Sequence, residues 1–131
     1  MNGPGGAVGI GTDLVDVARI ASMRERHGDS FLNRVFCDFE LEACLGRGAS
    51  ADMRLAARFA AKEAVVKALG TGFSGDITMR SVGVRNLESG APEAVLDAAA
   101  SARLREIGGT RVLISLSHLK SYAQAVAIAV K

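Results

Sequence analysis

Apolar residues recur along this chain with two different periods. Near the start the period is two: Val8, Ile10, Thr12 and Leu14 fall on one side, and Asp13, Val15 and Val17 on the other. That alternation predicts a first strand over residues 7–17. From about Ala51 to Leu69 the period is helical. At about 100° per residue, Leu55, Phe59, Val66 and Leu69 share a face, set in a background of Ala, Lys, Glu and Arg that favours helix. Gly70 and Gly72 supply the stop. A shorter helix is expected from Val17 to about Glu25, and two more over 31–36 and 39–45. Asp29 or Ser30 is the expected N-cap of the first of these two, and Asp38 of the second. Residues 77–80 suit a short strand or turn. Residues 82–87 and 93–96 alternate about a turn at 88–92, which predicts a hairpin. Asp97 opens a helix to about Ile107, closed by Gly108 and Gly109. Strands over 111–118 and 123–130 then form an antiparallel hairpin.

These elements predict an α+β fold, an antiparallel sheet packed on a long central helix. A chain of 131 residues suits a single core. The expected division is a flexible leader over residues 1–6 and one domain over 7–131. Composition adds little, with 49% hydrophobic and 23% charged residues. No apolar run approaches the roughly 18 residues of a membrane span, and residues 1–6 lack the pattern of a signal peptide. Cys37 and Cys44 stand seven apart without a CxxC. They are read as reduced, buried thiols in a helical stretch, and a cytoplasmic location follows. Net charge is only +2, which does not point to nucleic acid. Its distribution says more: between Arg19 and Arg34 stand four Arg and one His against two acids.

Three charged groups stand where the pattern asks for apolar ones. Asp13 interrupts an apolar strand, so it caps, pairs or binds a cation. Lys62 lies within the apolar face of the long helix, and Glu63 at its edge. Ionised groups there cost several kcal/mol unless they are paired or bound to a metal. Lys67 follows Glu63 by four residues. One carboxylate and two ammonium groups are thus expected on one rim. A plain i, i+4 pair between Glu63 and Lys67, with Lys62 snorkelling, accounts for the same spacing. Gly9 and Gly11 suggest close approach by another backbone. They do not make a dinucleotide fingerprint, since Leu14 stands where the third glycine belongs.

The string Arg58-Phe59-Ala60-Ala61-Lys62-Glu63-Ala64-Val65-Val66-Lys67-Ala68-Leu69-Gly70-Thr71-Gly72 closely resembles the signature of the holo-acyl-carrier-protein synthases, a family of phosphopantetheinyl transferases. "GIGTDLVDVARI" resembles the N-terminal motif of that family, and "SLSHLKSYAQAVAIAV" its C-terminal segment. The resemblance implies a phosphopantetheinyl transferase-like fold with one half-unit per chain, and a homotrimer with active sites at the subunit interfaces. It implies transfer of 4′-phosphopantetheine from coenzyme A to a serine of apo acyl carrier protein, leaving 3′,5′-ADP. Asp13 and Glu63 match the magnesium ligands. Lys67 matches a residue that neutralises pyrophosphate or assists proton removal, with a metal-bound water as the other candidate base. The coenzyme A contacts match Arg58, Lys67, Gly70, Thr71, Gly72, Pro92 and His118, with Arg58 and His118 as candidates for the 3′-phosphate. Arg19, Met23 and Arg26 match the carrier-protein contacts. Relatives usually carry Gly-Lys-Pro where this chain has Gly90-Ala91-Pro92, so no charge contact is carried onto Ala91. Leu119 likewise receives no acid–base role.

Two other classes are open to residues alone. A non-enzymatic module could dock its basic helix on an acidic protein. A small nucleic-acid-binding domain is disfavoured, because five Phe and one Tyr are scattered rather than paired into a stacking platform.

Overall fold

The computed structural model describes residues 6–131. The order is β1 (Ala7–Asp16), α1 (Val17–His27), α2 (Asp29–Val35), α3 (Asp38–Leu45), α4 (Ala51–Leu69), β2 (Val82–Asn86), β3 (Pro92–Leu96), α5 (Ala98–Glu106), β4 (Arg111–His118) and β5 (Tyr122–Val130). Most of the expected leader, residues 1–5, lies outside the described residues. Its last residue, Gly6, accepts a hydrogen bond from the Lys131 N–H at 2.9 Å.

The strands form two antiparallel sheets, one with the order β1-β5-β4 and one of β2 and β3. The central helix, α4, packs across the first. Small residues bring helix and sheet together. Ala123, Ala125, Ala127 and Ala129 of β5 are all buried, as are Ala56, Ala57, Ala60, Ala61, Ala64 and Ala68 of α4. The closest approach is at β1. A Cβ on Gly11 would lie 1.9 Å from the Ala64 carbonyl oxygen, and one on Gly9 2.0 Å from that of Ala68. The backbone approach expected from these glycines is therefore made by α4. Gly11→Ala should force β1 off the helix and lower stability by roughly 1–3 kcal/mol, the usual cost of overpacking. Chemical denaturation checks this; a loss under about 0.5 kcal/mol, the size of an ordinary surface change, would contradict the tight contact.

The alternation expected for β1 is observed. Gly11 and Val15 are buried toward α4 while Ile10 and Leu14 face outward, 70% and 67% exposed. Register puts Ile10 opposite Ile128, and Ile128 opposite Leu113. An apolar row therefore crosses the outer face of the sheet.

Lys62 departs from expectation. It does not snorkel, and it does not join Glu63 and Lys67 on one rim. Its ammonium is fully buried, 2.5 Å from Glu40 Oε1 and 2.5 Å from the Val82 carbonyl oxygen. The Phe36 ring centroid lies 5.6 Å away. Glu40 Oε1 also accepts from the Cys37 N–H and Oε2 from the Val84 N–H. With 13 of its 19 residues buried, α4 offers Lys62 no route to water, and a carboxylate from α3 meets it instead.

Other departures are local. Gly28 ends α1 and is also the N-cap of α2, so neither Asp29 nor Ser30 caps it. Cys37, not Asp38, is the N-cap of α3. Cys37 thus lies outside the helix and is only half-buried, whereas Cys44 is buried within it. Burial pushes both thiols up in pKa, which makes them poor nucleophiles. Of the strand or turn expected near residues 77–80, the structure forms the turn, a single 3₁₀ turn over 79–81. Asp16 and Asp97 cap α1 and α5 by accepting from the Ala18 and Ala100 N–H groups, each at 2.9 Å.

Candidate active site

Close packing of β1 on α4 brings Asp13 beside the helix that carries Glu63 and Lys67. Lys67 Nζ lies 3.2 Å from Asp13 Oδ1 and donates to the Thr12 carbonyl oxygen at 2.9 Å. The ammonium is thus held to β1, and its ion-pair partner is Asp13 rather than Glu63. Glu63 lies one turn back on α4 and is half-buried. Burial raises its pKa above the usual carboxylate value, and the neighbouring Asp13 charge raises it further. Lys67 and Arg19 act in the opposite direction. Two carboxylates, an ammonium and a guanidinium therefore share one corner of the fold.

Such a corner suits a divalent cation. Mg²⁺ is commonly held by one or two carboxylates, with water and phosphate oxygens completing its shell. Among the described residues no group of three or more His, Cys, Asp or Glu could hold a metal ion, so a site made wholly of protein ligands is not on offer. A divalent cation held by Asp13 and Glu63 would offset the repulsion between their like charges.

The C-terminal turn of α4 follows Lys67. Gly70 adopts a left-handed conformation, φ 75°, and its N–H donates to the Lys67 carbonyl oxygen at 3.0 Å. The Thr71 N–H donates to that of Val66 at 3.3 Å. Thr71 Oγ1 is buried and without a hydrogen-bond partner among the described residues. Gly70 and Gly72 are exposed. Arg19 and Arg26 are exposed on α1 and Met23 is half-buried, while Arg24 is tied to Asp52 at 3.1 Å. Arg19 also lies 5.9 Å from the Phe59 ring centroid, which joins the basic helix to the acidic corner.

The other candidates lie elsewhere. Arg58 is buried and donates to Asn86 Oδ1 of β2 at 2.7 Å; its Nε has no partner among the described residues. Pro92 lines a cleft of about 710 Å³ between β3, α5 and β4. His118 is exposed and lines a shallow depression of about 220 Å³ with Leu14, Leu119 and Tyr122. Neither cavity contains Asp13, Glu63 or Lys67.

Residues 9–127 match the 4′-phosphopantetheinyl transferase superfamily. The chain belongs to this family. A holo-[acyl-carrier-protein] synthase of Methylobacterium radiotolerans is 46% identical over 125 residues, covering 92% of this chain and 91% of the relative. The crystal structure of the holo-[acyl-carrier-protein] synthase from Neisseria meningitidis superposes with a TM-score of 0.87 at 36% identity, covering 96% of this chain and all of that one. That of Helicobacter pylori, in complex with coenzyme A, does so with a TM-score of 0.80 at 27% identity, covering 92% and 98%. The α+β fold expected from the sequence, with its antiparallel sheet on a long central helix, is the fold of these phosphopantetheinyl transferases.

Sequence reasoning missed Glu40, Asn86 and Arg103 (the last hydrogen-bonds the end of α4). Lys62 on an apolar face did signal that a carboxylate was needed. It could not say which, because Asp38, Glu40 and Glu42 all stand in one short helix.

Proposed function

We propose that this chain transfers 4′-phosphopantetheine from coenzyme A to a serine hydroxyl of an apo acyl carrier protein, giving the holo carrier and 3′,5′-ADP. The observation that carries the reading is the corner where Asp13 of β1 meets Lys67 and Glu63 of α4, in a chain whose relatives are holo-[acyl-carrier-protein] synthases. The coenzyme A bound to the Helicobacter pylori neighbour supports the donor.

The serine oxygen attacks the β-phosphorus of the donor pyrophosphate, and the bond to the bridging oxygen breaks. Such transfers depend on positioning and charge neutralisation rather than on covalent help. Asp13 and Glu63 would hold Mg²⁺, which when bound neutralises the pyrophosphate and the charge developing on it. Lys67 is anchored by the Thr12 carbonyl and places its ammonium at the same corner, to balance phosphate charge or assist removal of the serine proton. Gly70, Thr71 and Gly72 offer exposed backbone and the unpartnered Thr71 hydroxyl to the donor. Arg19, Met23 and Arg26 on α1 receive the acidic carrier, since cationic side chains steer such a partner.

A homotrimer completes the site. Ile10, Leu14 and Leu113 leave the outer sheet face apolar and exposed, as an interface between copies requires. Pro92 and His118, which line cavities that do not include the acidic residues, then reach the donor from a neighbouring copy. Arg58 acts on the donor through its unpartnered Nε or by fixing Asn86. Among the described residues no helix can cross a membrane. Two free cysteines suit a reducing cytoplasm.

Intact mass of several apo acyl carrier proteins, incubated with this chain, coenzyme A and Mg²⁺, tests the reading. A gain of one phosphopantetheine that a chelator abolishes is expected. No gain with any carrier, from folded protein, would refute the reading and leave a non-catalytic docking module.

A further inference from the structure

Anions avoid the C-terminal end of a helix, where unpaired carbonyls carry a partial negative charge. The proposed donor site nevertheless runs past the C-terminal end of α4, at Gly70, Thr71 and Gly72. The turn itself occupies two of the last carbonyls, those of Val66 and Lys67. The Leu69 carbonyl needs a donor from elsewhere.

It receives one from α5. Arg103 Nε donates to the Leu69 carbonyl oxygen at 2.9 Å. Its Nη2 lies 3.5 Å from where a Cβ on Gly70 would stand, so the guanidinium lies against the turn. Glu106, three residues on in sequence, holds Nη1 at 3.5 Å. The side chain is about one-third exposed, so its charge is felt at the surface.

We infer that Arg103 is a positioning residue for the anionic donor: its guanidinium offsets the negative end of α4 and fixes the Gly70 turn past which the phosphates run. The inference rests on the proposed donor site. Arg103 does not touch the reacting atoms; it acts through the charge and geometry of the turn. Lys67 cannot do the same work, because its ammonium is held at Thr12 and Asp13 on β1.

Arg103→Gln keeps a side-chain donor and removes the charge, and Arg103→Lys keeps the charge. Kinetics of both, with calorimetric binding of coenzyme A, test the inference. For Arg103→Gln the KM for coenzyme A should rise roughly three- to tenfold, the range that a charge at a helix end produces. The KM for the carrier and kcat should stay within twofold. The rise should shrink as salt is added, and Arg103→Lys should recover most of it. A purely structural cap would lower the melting temperature of both variants and leave the KM values alone, which would overturn the inference. Equal failure of Arg103→Lys and Arg103→Gln would overturn it too, since charge would not then be the agent. If wild-type protein neither binds coenzyme A nor transfers from it, the proposed function falls and this inference with it. If wild-type protein does both and Arg103→Gln matches it, only this inference falls.

Discussion

Glu63→Gln should lose turnover by about a hundredfold or more while the protein stays folded. The size follows from the proposed role: charge neutralisation by a held metal supplies several kcal/mol to a phosphoryl transfer, and each 1.36 kcal/mol is tenfold. The amide fills the same space but carries no charge. The direction of the stability change separates this from simple damage. Burial and the Asp13 charge raise the Glu63 pKa above its ordinary value. The fold therefore favours the protonated carboxyl. That contribution is full below the unfolded value and is lost as pH rises through the folded one. At neutral pH without metal, ionised Glu63 weakens the fold, so Glu63→Gln should melt no lower than wild type. Added Mg²⁺ should stabilise wild type and leave the variant unchanged. In wild type, turnover should fall as acid protonates Glu63, because protons compete with the metal for the carboxylate. Rate assays with thermal melts, each with and without Mg²⁺, check all of this. Unchanged turnover would remove Glu63 from the site.

The largest expected loss of stability comes from the other ionised pair. Glu40 and Lys62 are both wholly buried, and four groups depend on them: the Cys37 and Val84 N–H groups, the Val82 carbonyl and the Phe36 ring. Removing one partner leaves the other charge buried and uncompensated, at a cost of about 3–5 kcal/mol. Lys62→Met and Glu40→Leu should each fall in that range by denaturant unfolding. Lys62→Met with Glu40→Leu should cost clearly less than the sum, because neither charge then remains to be desolvated. Strict additivity, or single losses below about 1 kcal/mol, would show that the pair is not the tie between α3, α4 and β2 that the geometry describes.

The acidic corner was largely legible beforehand. Asp13 in an apolar strand and Glu63 at the edge of an apolar helix face were conspicuous, and the motif strings joined them. The partner of Lys67 was not legible. A four-residue spacing predicted Glu63, whereas glycine contacts bring β1 near enough for Asp13 to take that place. Arg58 shows the same limit: its neighbours in sequence say nothing of Asn86, which folds back from 28 residues away.

Periodicity and turn residues determined the elements by themselves, because helix and strand periods, caps and glycine stops are properties of neighbouring residues. The central helix, both hairpins and the cap at Asp97 all come from such local chemistry. Only the tertiary structure decided which charges meet. Glu40 and Lys62 lie 22 residues apart, Asp13 and Lys67 54, and Leu69 and Arg103 34. Electrostatic partners are chosen by distance in space and by the burial that makes a partner necessary, and neither is a property of a stretch of chain.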